Sequence, residues 1–199
     1  MDALYTRDSA FIREWMANFL SARGIECGID VFGDILLADG RRIDAQYSTN
    51  FAVFRDLRTD FVSALTPVAP VKDENFVYDP NKDILENFCT KFRCSVEKKG
   101  KIFFPEGHVF FCTAFYEYDF APVNPNYFLV VKSSALHDYV FRNPELLEKV
   151  RITDKSGLSD DYGSAFLPID VVSLITETGC FFERFPFRND GKLKQYMLG

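Results

Sequence analysis

Asp34 and Asp44, with Gln46 two residues past the second acid, are the residues of this 199-residue chain best suited to chemistry. They sit in the segments Gly33-Asp34 and Asp44-Ala45-Gln46. Two carboxylates on neighbouring strands, converging at one sheet face, can hold a divalent cation. Mg²⁺ takes oxygen ligands and keeps several waters, so two acids and a phosphate oxygen suffice; Mn²⁺ serves the same set. A cation so held lowers the pKa of a bound water and stabilises the charge that builds on phosphorus. The two-residue period of a strand puts Asp44 and Gln46 on the same side, where Gln46 can orient the attacking water. Arg41 and Arg42 at the turn, and Arg55 and Arg58 beyond it, are candidate phosphate contacts, because a guanidinium fork matches phosphate oxygens.

The elements that must position these groups can be read from the hydrophobic pattern. Asp8 or Ser9 can cap a helix to about Arg23, with Ile12, Trp15, Met16, Phe19 and Leu20 as its apolar stripe and Gly24 as its stop. Asp39-Gly40 is a hairpin turn signal between strands near 33–38 and 41–48, with a shorter strand near 26–32 before them. Phe54, Leu57, Phe61, Val62 and Leu65 predict a helix over 53–65, ended by Pro67 and Pro70. Residues 66–82 read as a loop. Strands follow near 101–104, 107–118 and 127–132, then a helix over 133–141 and a polar loop or hairpin over 151–163. A short helix opening at Pro168-Ile-Asp170 runs through Ile175, and the last strand lies near 179–185. This order predicts one α/β domain, a sandwich around a mixed sheet.

Register decides whether the acids meet. A two-residue loop at Asp39-Gly40 would pair Leu37 with Arg42 and set Asp34 and Asp44 on opposite faces. A three-residue loop or a bulge would pair Leu36 with Asp44 and Asp34 with Gln46, bringing all three polar groups to one face. The competing interpretation is an ordinary amphipathic hairpin, with Asp44 and Gln46 in solvent and Ile43, Ala45 and Tyr47 inward. The arginines likewise have an ordinary alternative in surface pairs with Asp56 and Asp60.

Helix, strand, strand with an acid, turn, strand with an acid and a polar residue two along: over residues 8–65 this pattern resembles the PD-(D/E)XK, or restriction-endonuclease-like, nuclease superfamily. Asp34 matches the first acid and Asp44 the second, while Gln46 stands where the motif lysine would be and Gly33 where the motif proline would be. The resemblance implies a mixed central sheet flanked by helices and a Mg²⁺- or Mn²⁺-dependent endonuclease with Asp34, Asp44 and Gln46 as catalytic residues. It also implies a nucleic-acid substrate, DNA ahead of RNA, and by analogy a homodimer of prokaryotic or phage type. Many members add an acid from the first helix. Glu14 is the candidate here, although it lies ~200° round from Ile12 at ~100° per residue. The rival is a non-catalytic, protein-binding or regulatory protein on the same scaffold, for example a phage-encoded inhibitor, which the missing lysine favours.

Composition narrows the field. With 23 Lys+Arg against 29 Asp+Glu the formal charge is -6, which argues against nucleic-acid binding by bulk charge alone. Residues 91–101 are locally basic and interleave Phe92 with lysines, a second candidate phosphate contact or a solvated hairpin. The 22 Phe and 9 Tyr suit a β-rich core. No apolar run reaches the ~20 residues of a membrane span and the first residues lack a signal-peptide core, so the chain reads as a cytoplasmic protein. Cys89, Cys94, His108 and Cys112 suggest zinc at first sight; a strand would separate His108 from Cys112 by ~13 Å, too far for one zinc, whereas a local helix would repair the geometry, so a structural zinc protein is the third option. Buried thiols are the favoured reading of the five cysteines. With two histidines, His108 and His137, and no nucleophile-elbow or phosphate-loop motif, a triad hydrolase and a P-loop enzyme are set aside.

Overall fold

The apolar stripe of the first helix and the alternating strands that follow it do assemble together. The computed structural model describes residues 2–118, 124–153, 163–187 and 190–199. In chain order it contains α1 (Asp2–Ser21), β1 (Cys27–Ile29), β2 (Ile35–Leu37), β3 (Arg42–Ser48), α2 (Phe51–Phe54), β4 (Asp56–Thr66), α3 (Ile84–Phe92) and β5 (Ser95–Lys99). There follow β6 (Phe110–Phe115), β7 (Tyr127–Lys132), α4 (Ser133–Arg142), β8 (Arg151–Thr153), β9 (Gly163–Asp170), α5 (Val171–Thr178), β10 (Phe181–Arg184) and α6 (Asp190–Leu198). Lys101–Phe103 and Pro144–Lys149 form 3₁₀ turns. The chain is a mixed α/β protein whose strands build two sheets, where the order of elements had suggested one. It divides into two compact units, Met1–Asp56 with Pro105–Leu136 and Asp170–Gly199, and Leu57–Phe104 with His137–Ile169.

The first unit holds a six-stranded sheet in the order β1-β2-β3-β6-β7-β10. β1, β2 and β3 form an antiparallel meander, β3 and β6 run parallel, and β7 and β10 continue antiparallel. Ile12, Met16 and Leu20 of α1 pack with Ile35, Leu37, Ile43, Phe110, Cys112, Ala114, Phe128 and Val130 in one core cluster. α1 therefore covers the sheet face to which these alternate strand positions point. Aromatic contacts extend that core: Trp15 stacks on Phe19 with centroids 4.9 Å apart, and Phe19 meets Phe128 edge-on at 5.0 Å. Such pairs add about 0.5–1.5 kcal/mol each beyond their area.

The second unit holds a four-stranded antiparallel sheet, β5-β4-β9-β8. Phe88 of α3 packs against Phe61 of β4 at 5.3 Å and Phe92 at 4.9 Å. Lys91, on the same helix, is 1% exposed; its Nζ donates to the Leu147 carbonyl at 3.1 Å and pairs with Glu148 Oε1 at 2.6 Å. A buried cation stripped of its partner is costly, whereas removing the cation itself is not. Glu148→Ala is expected to cost about 2–3 kcal/mol, moderated by solvent at the exposed glutamate end, and Lys91→Met, which keeps the volume, about 1 kcal/mol or less. Urea unfolding of the two variants checks the order.

Several sequence expectations need correction. Residues 53–65 are not a helix: α2 is a single turn and Asp56–Thr66 is strand β4. Leu57, Thr59 and Phe61 are buried in alternation, but the β4–β5 ladder carries irregularities between Val62 and Leu65. Such a bulge resets the alternation, so Phe61 and Val62 are both buried and the apolar spacing imitates a helix. α1 begins at Asp2, so neither Asp8 nor Ser9 caps it. Residues 101–103 form a 3₁₀ turn, not a strand, and Pro168-Ile-Asp170 ends β9, with α5 starting only at Val171. In 151–163, β8 takes the start and β9 begins at Gly163, while 154–162 lie outside the described residues. α3 was not anticipated, yet Asp83 and Glu86 form a complete capping box at its start, a signal visible in the spacing Asp-x-x-Glu.

Candidate functional site

The meander positions the acids through two glycine turns. Between β2 and β3 the connection is Ala38-Asp39-Gly40, closed by Leu37 N–H to Arg41 O at 2.8 Å and Gly40 N–H to Leu37 O at 2.9 Å, with Gly40 at φ +84°. The ladder pairs Leu36 with Arg42 and Ile35 with Ile43. This is neither of the two registers weighed from the sequence. One further step of it would set Asp34 across from Asp44. Asp44 lies on the face opposite the Ile43 side chain, away from α1; Asp34 stands one residue before β2, and strand alternation continued by that step would put it on the same face. Asp44 is 7% exposed. Gln46, two along on β3, shares the face and lies beside Thr113 of β6, to whose Oγ1 its Nε2 donates at 2.9 Å.

The turn between β1 and β2 brings in partners that sequence reasoning passed over. Asp30 Oδ1 accepts the N–H groups of Phe32 at 2.8 Å and Asp34 at 3.0 Å. Gly33, at φ +87°, closes the turn, and a Cβ there would stand 3.1 Å from Arg13 Nη1. The left-handed backbone conformation favours glycine here, and a side chain would also press on the Arg13 guanidinium. Arg42 spans the two acids of this turn, with Nη2 3.3 Å from Asp30 Oδ2 and Nη1 3.8 Å from Asp34 Oδ2. His108 Nε2 lies 3.4 Å from the same Asp34 oxygen. The sequence signal for the turn was Asp30-x-x-Gly33, the residues a tight turn favours at its two ends; for Arg13 and His108 there was none.

Burial works against the charge of Asp30, but the N–H groups of Asp34 and Phe32 and the Arg42 guanidinium outweigh it and hold the carboxyl below the usual carboxylate range. A group with a depressed folded pKa stabilises the fold fully above its unfolded value, ~3.9, and loses that contribution as pH falls through the folded value. The stability advantage of the native chain over Asp30→Asn is therefore expected to be full at pH 6 and to shrink below pH 4. Urea midpoints of both proteins over a range of about pH 2.5–6 check it.

The other sequence candidates fall in varied places. Arg41 pairs with Asp39 at 2.6 Å on the exposed turn. Arg55 is exposed, in the left-handed conformation that ends α2, and its carbonyl accepts the Val171 N–H. Arg58 belongs to the second unit, on β4, with its guanidinium 5.8 Å from the Phe166 ring. Glu14 lies on α1, on the other side of the sheet from Asp44, in a cleft lined by Phe11, Trp15, Asn18, Phe19 and Phe185. Of the suggested zinc residues, His108 faces Asp34, while Cys112 is buried in the α1-side core, where burial foremost, and then the Asp44 charge, push its thiol pKa well up.

Among the described residues, no three His, Cys, Asp or Glu side chains gather so as to hold a metal by themselves. The donors of the candidate set are the Asp44 carboxylate and Gln46 carboxamide on one face of β3, with the Asp34 carboxylate at the start of β2. Hard oxygen donors in so small a number suit Mg²⁺, which keeps waters and takes its remaining oxygens from a phosphate, and do not suit a caged zinc. Arg42 is a cation whose guanidinium lies on this side, between Asp30 and Asp34. No protein-family model, curated protein or solved structure matches the chain.

Proposed function

We propose that this chain hydrolyses phosphodiester bonds of nucleic acid, DNA in the first place, at the edge where β2 meets β3. The observation that supports the reading is the register of that hairpin, which, carried one step beyond its last pair, would bring Asp34 and Asp44 to one face with Gln46 two residues on. The sheet supports it in coarse outline: a helix, the β1–β2–β3 meander and further strands share one mixed sheet, as the resemblance implies. Here the chain between the two parallel strands makes the long excursion 57–104 instead of a single helix.

In this reading Asp34 and Asp44 hold Mg²⁺ or Mn²⁺, which when bound supplies an acidified water and charge stabilisation at phosphorus. Gln46 is fixed through its Nε2 to Thr113, leaving its Oε1 to accept a proton of the attacking water and aim it. Arg42, beside Asp34, binds and orients the scissile phosphate by its guanidinium fork. His108, beside Asp34, keeps that carboxylate in place. Nicking of a supercoiled plasmid tests the reading. Nicked product in Mg²⁺ or Mn²⁺, abolished by EDTA, is expected; intact substrate under both ions, with single- and double-stranded DNA and RNA alike, would overturn it.

A second reading, a non-catalytic binding protein on this scaffold, is favoured by one observation: the Asp34 carboxylate is already engaged by Arg42 and His108. It is the outcome to adopt if the plasmid stays intact.

A further inference from the structure

The second unit carries a pair of cysteines for which the proposed chemistry has no use. α3 ends in a left-handed turn at Arg93, φ +44°. The Cys94 N–H reaches back to the Cys89 carbonyl at 3.2 Å. A bond from the second residue beyond a helix to a carbonyl in its last turn is the six-to-one bond of a Schellman cap, which brings the side chains of those two positions together. In this cap both positions are cysteine, so the two thiols are brought side by side. Both are half-buried, whereas Cys112 and Cys180 are buried. Cys89 also lines an open surface cleft with Lys82, Asp83, Glu86, Thr90 and Val96, so a small molecule can reach its sulfur. A disulfide needs Cα atoms within ~4.4–6.8 Å, and a direct backbone hydrogen bond between the two residues holds them at short range without moving the helix.

We propose that Cys89 and Cys94 form a reversible dithiol–disulfide site, oxidised by small disulfides of the glutathione class with Cys89 as the attacking sulfur. The Cys89 thiolate attacks one sulfur of the small disulfide. That S–S bond breaks, the leaving thiolate takes a proton, and a mixed disulfide remains on Cys89. Cys94 then gives up its proton and attacks the Cys89 sulfur, forming the internal S–S bond and expelling the second small thiol. Two protein thiols are oxidised and one small disulfide is reduced to two thiols, so electrons and protons balance. The order of attack follows from the cap. The Cys94 S–H donates to the Cys89 sulfur and brings its thiol down to about 7, against burial and the charges of Asp83 and Glu86, while Cys94 itself is pushed up.

The test treats the full-length protein with oxidised glutathione, blocks the remaining thiols and maps the peptides. Loss of two of the five free thiols, a linked Cys89–Cys94 peptide, and recovery with dithiothreitol are expected. Cys94→Ser should stop at a glutathione adduct on Cys89. Five thiols left free, a lasting adduct on Cys89 in the native chain, or a disulfide through Cys27, Cys112 or Cys180 would overturn the assignment. An independent readout is the alkylation of Cys89 by iodoacetamide. Its rate should be half-maximal near pH 7 in the native chain and move toward the free-thiol value, ~8.5, in Cys94→Ser; the same midpoint in both proteins counts against the pair.

Discussion

Asp44→Asn is expected to lower metal-dependent cleavage by about 10²–10³-fold or more, the scale of losing one preorganised charge contact to a transition state. Asparagine keeps the volume and one oxygen acceptor but removes the negative charge that would hold a hard cation. The fold should survive, because asparagine matches aspartate in volume and shape at this buried position. The check is an initial nicking rate measured beside a thermal midpoint: the rate falls and the midpoint holds. Gln46→Ala should cost less, about 10-fold, since it removes only the orientation of a water. Equal loss in both variants would mean that Asp44 does not carry the cation.

Gly100→Ala is expected to be the most destabilising small substitution in the second unit. Gly100 follows β5, and its N–H bonds to the Phe61 carbonyl of β4 at 3.0 Å. A Cβ there would fall within contact distance of the Asp60 carbonyl oxygen and stand 2.7 Å from the Phe61 carbonyl carbon. These are backbone atoms, and no side-chain rotation clears them. β4 and β5 would have to part, losing ladder bonds at a place where their pairing is already irregular. A cost of about 3–5 kcal/mol is expected, as for other forced overpacking of a core, and with it a fall of about 10 °C in Tm. Gly28→Ala is the control: nothing lies within 4 Å of the added Cβ, so its effect should stay within about 0.5 kcal/mol. Differential scanning calorimetry of both variants measures the contrast.

What could be read from the sequence, and what could not, divides along the range of the forces involved. α1, the β2–β3 turn and β7 are set by local patterns: an apolar stripe, an Asp-Gly pair, an unbroken apolar run. The hairpin's faces were within reach, since the turn restricts the register to a few choices. The choice itself was not, because it depends on how Gly40 is used within a three-residue connection. β4 was misread because its irregular pairing with β5 puts Phe61 and Val62 both inside. A bulge is fixed by the partner strand, which a one-dimensional pattern does not contain. The same holds for the site: Asp34 and Asp44 stand ten positions apart in the sequence, but Arg13 and His108 reach Gly33 and Asp34 from distant parts of the chain. The split into two sheets was likewise out of reach, because β9 pairs with β4 across a separation of about a hundred residues.

The most direct measurement is a Mn²⁺ titration followed by electron paramagnetic resonance, on the native chain and on the double variant Asp34→Asn/Asp44→Asn. If the two acids share a cation, the native protein binds one Mn²⁺ that Mg²⁺ displaces, and the double variant, still folded, binds none. A native chain that leaves millimolar Mn²⁺ free, or a double variant that binds it equally well, would contradict the account.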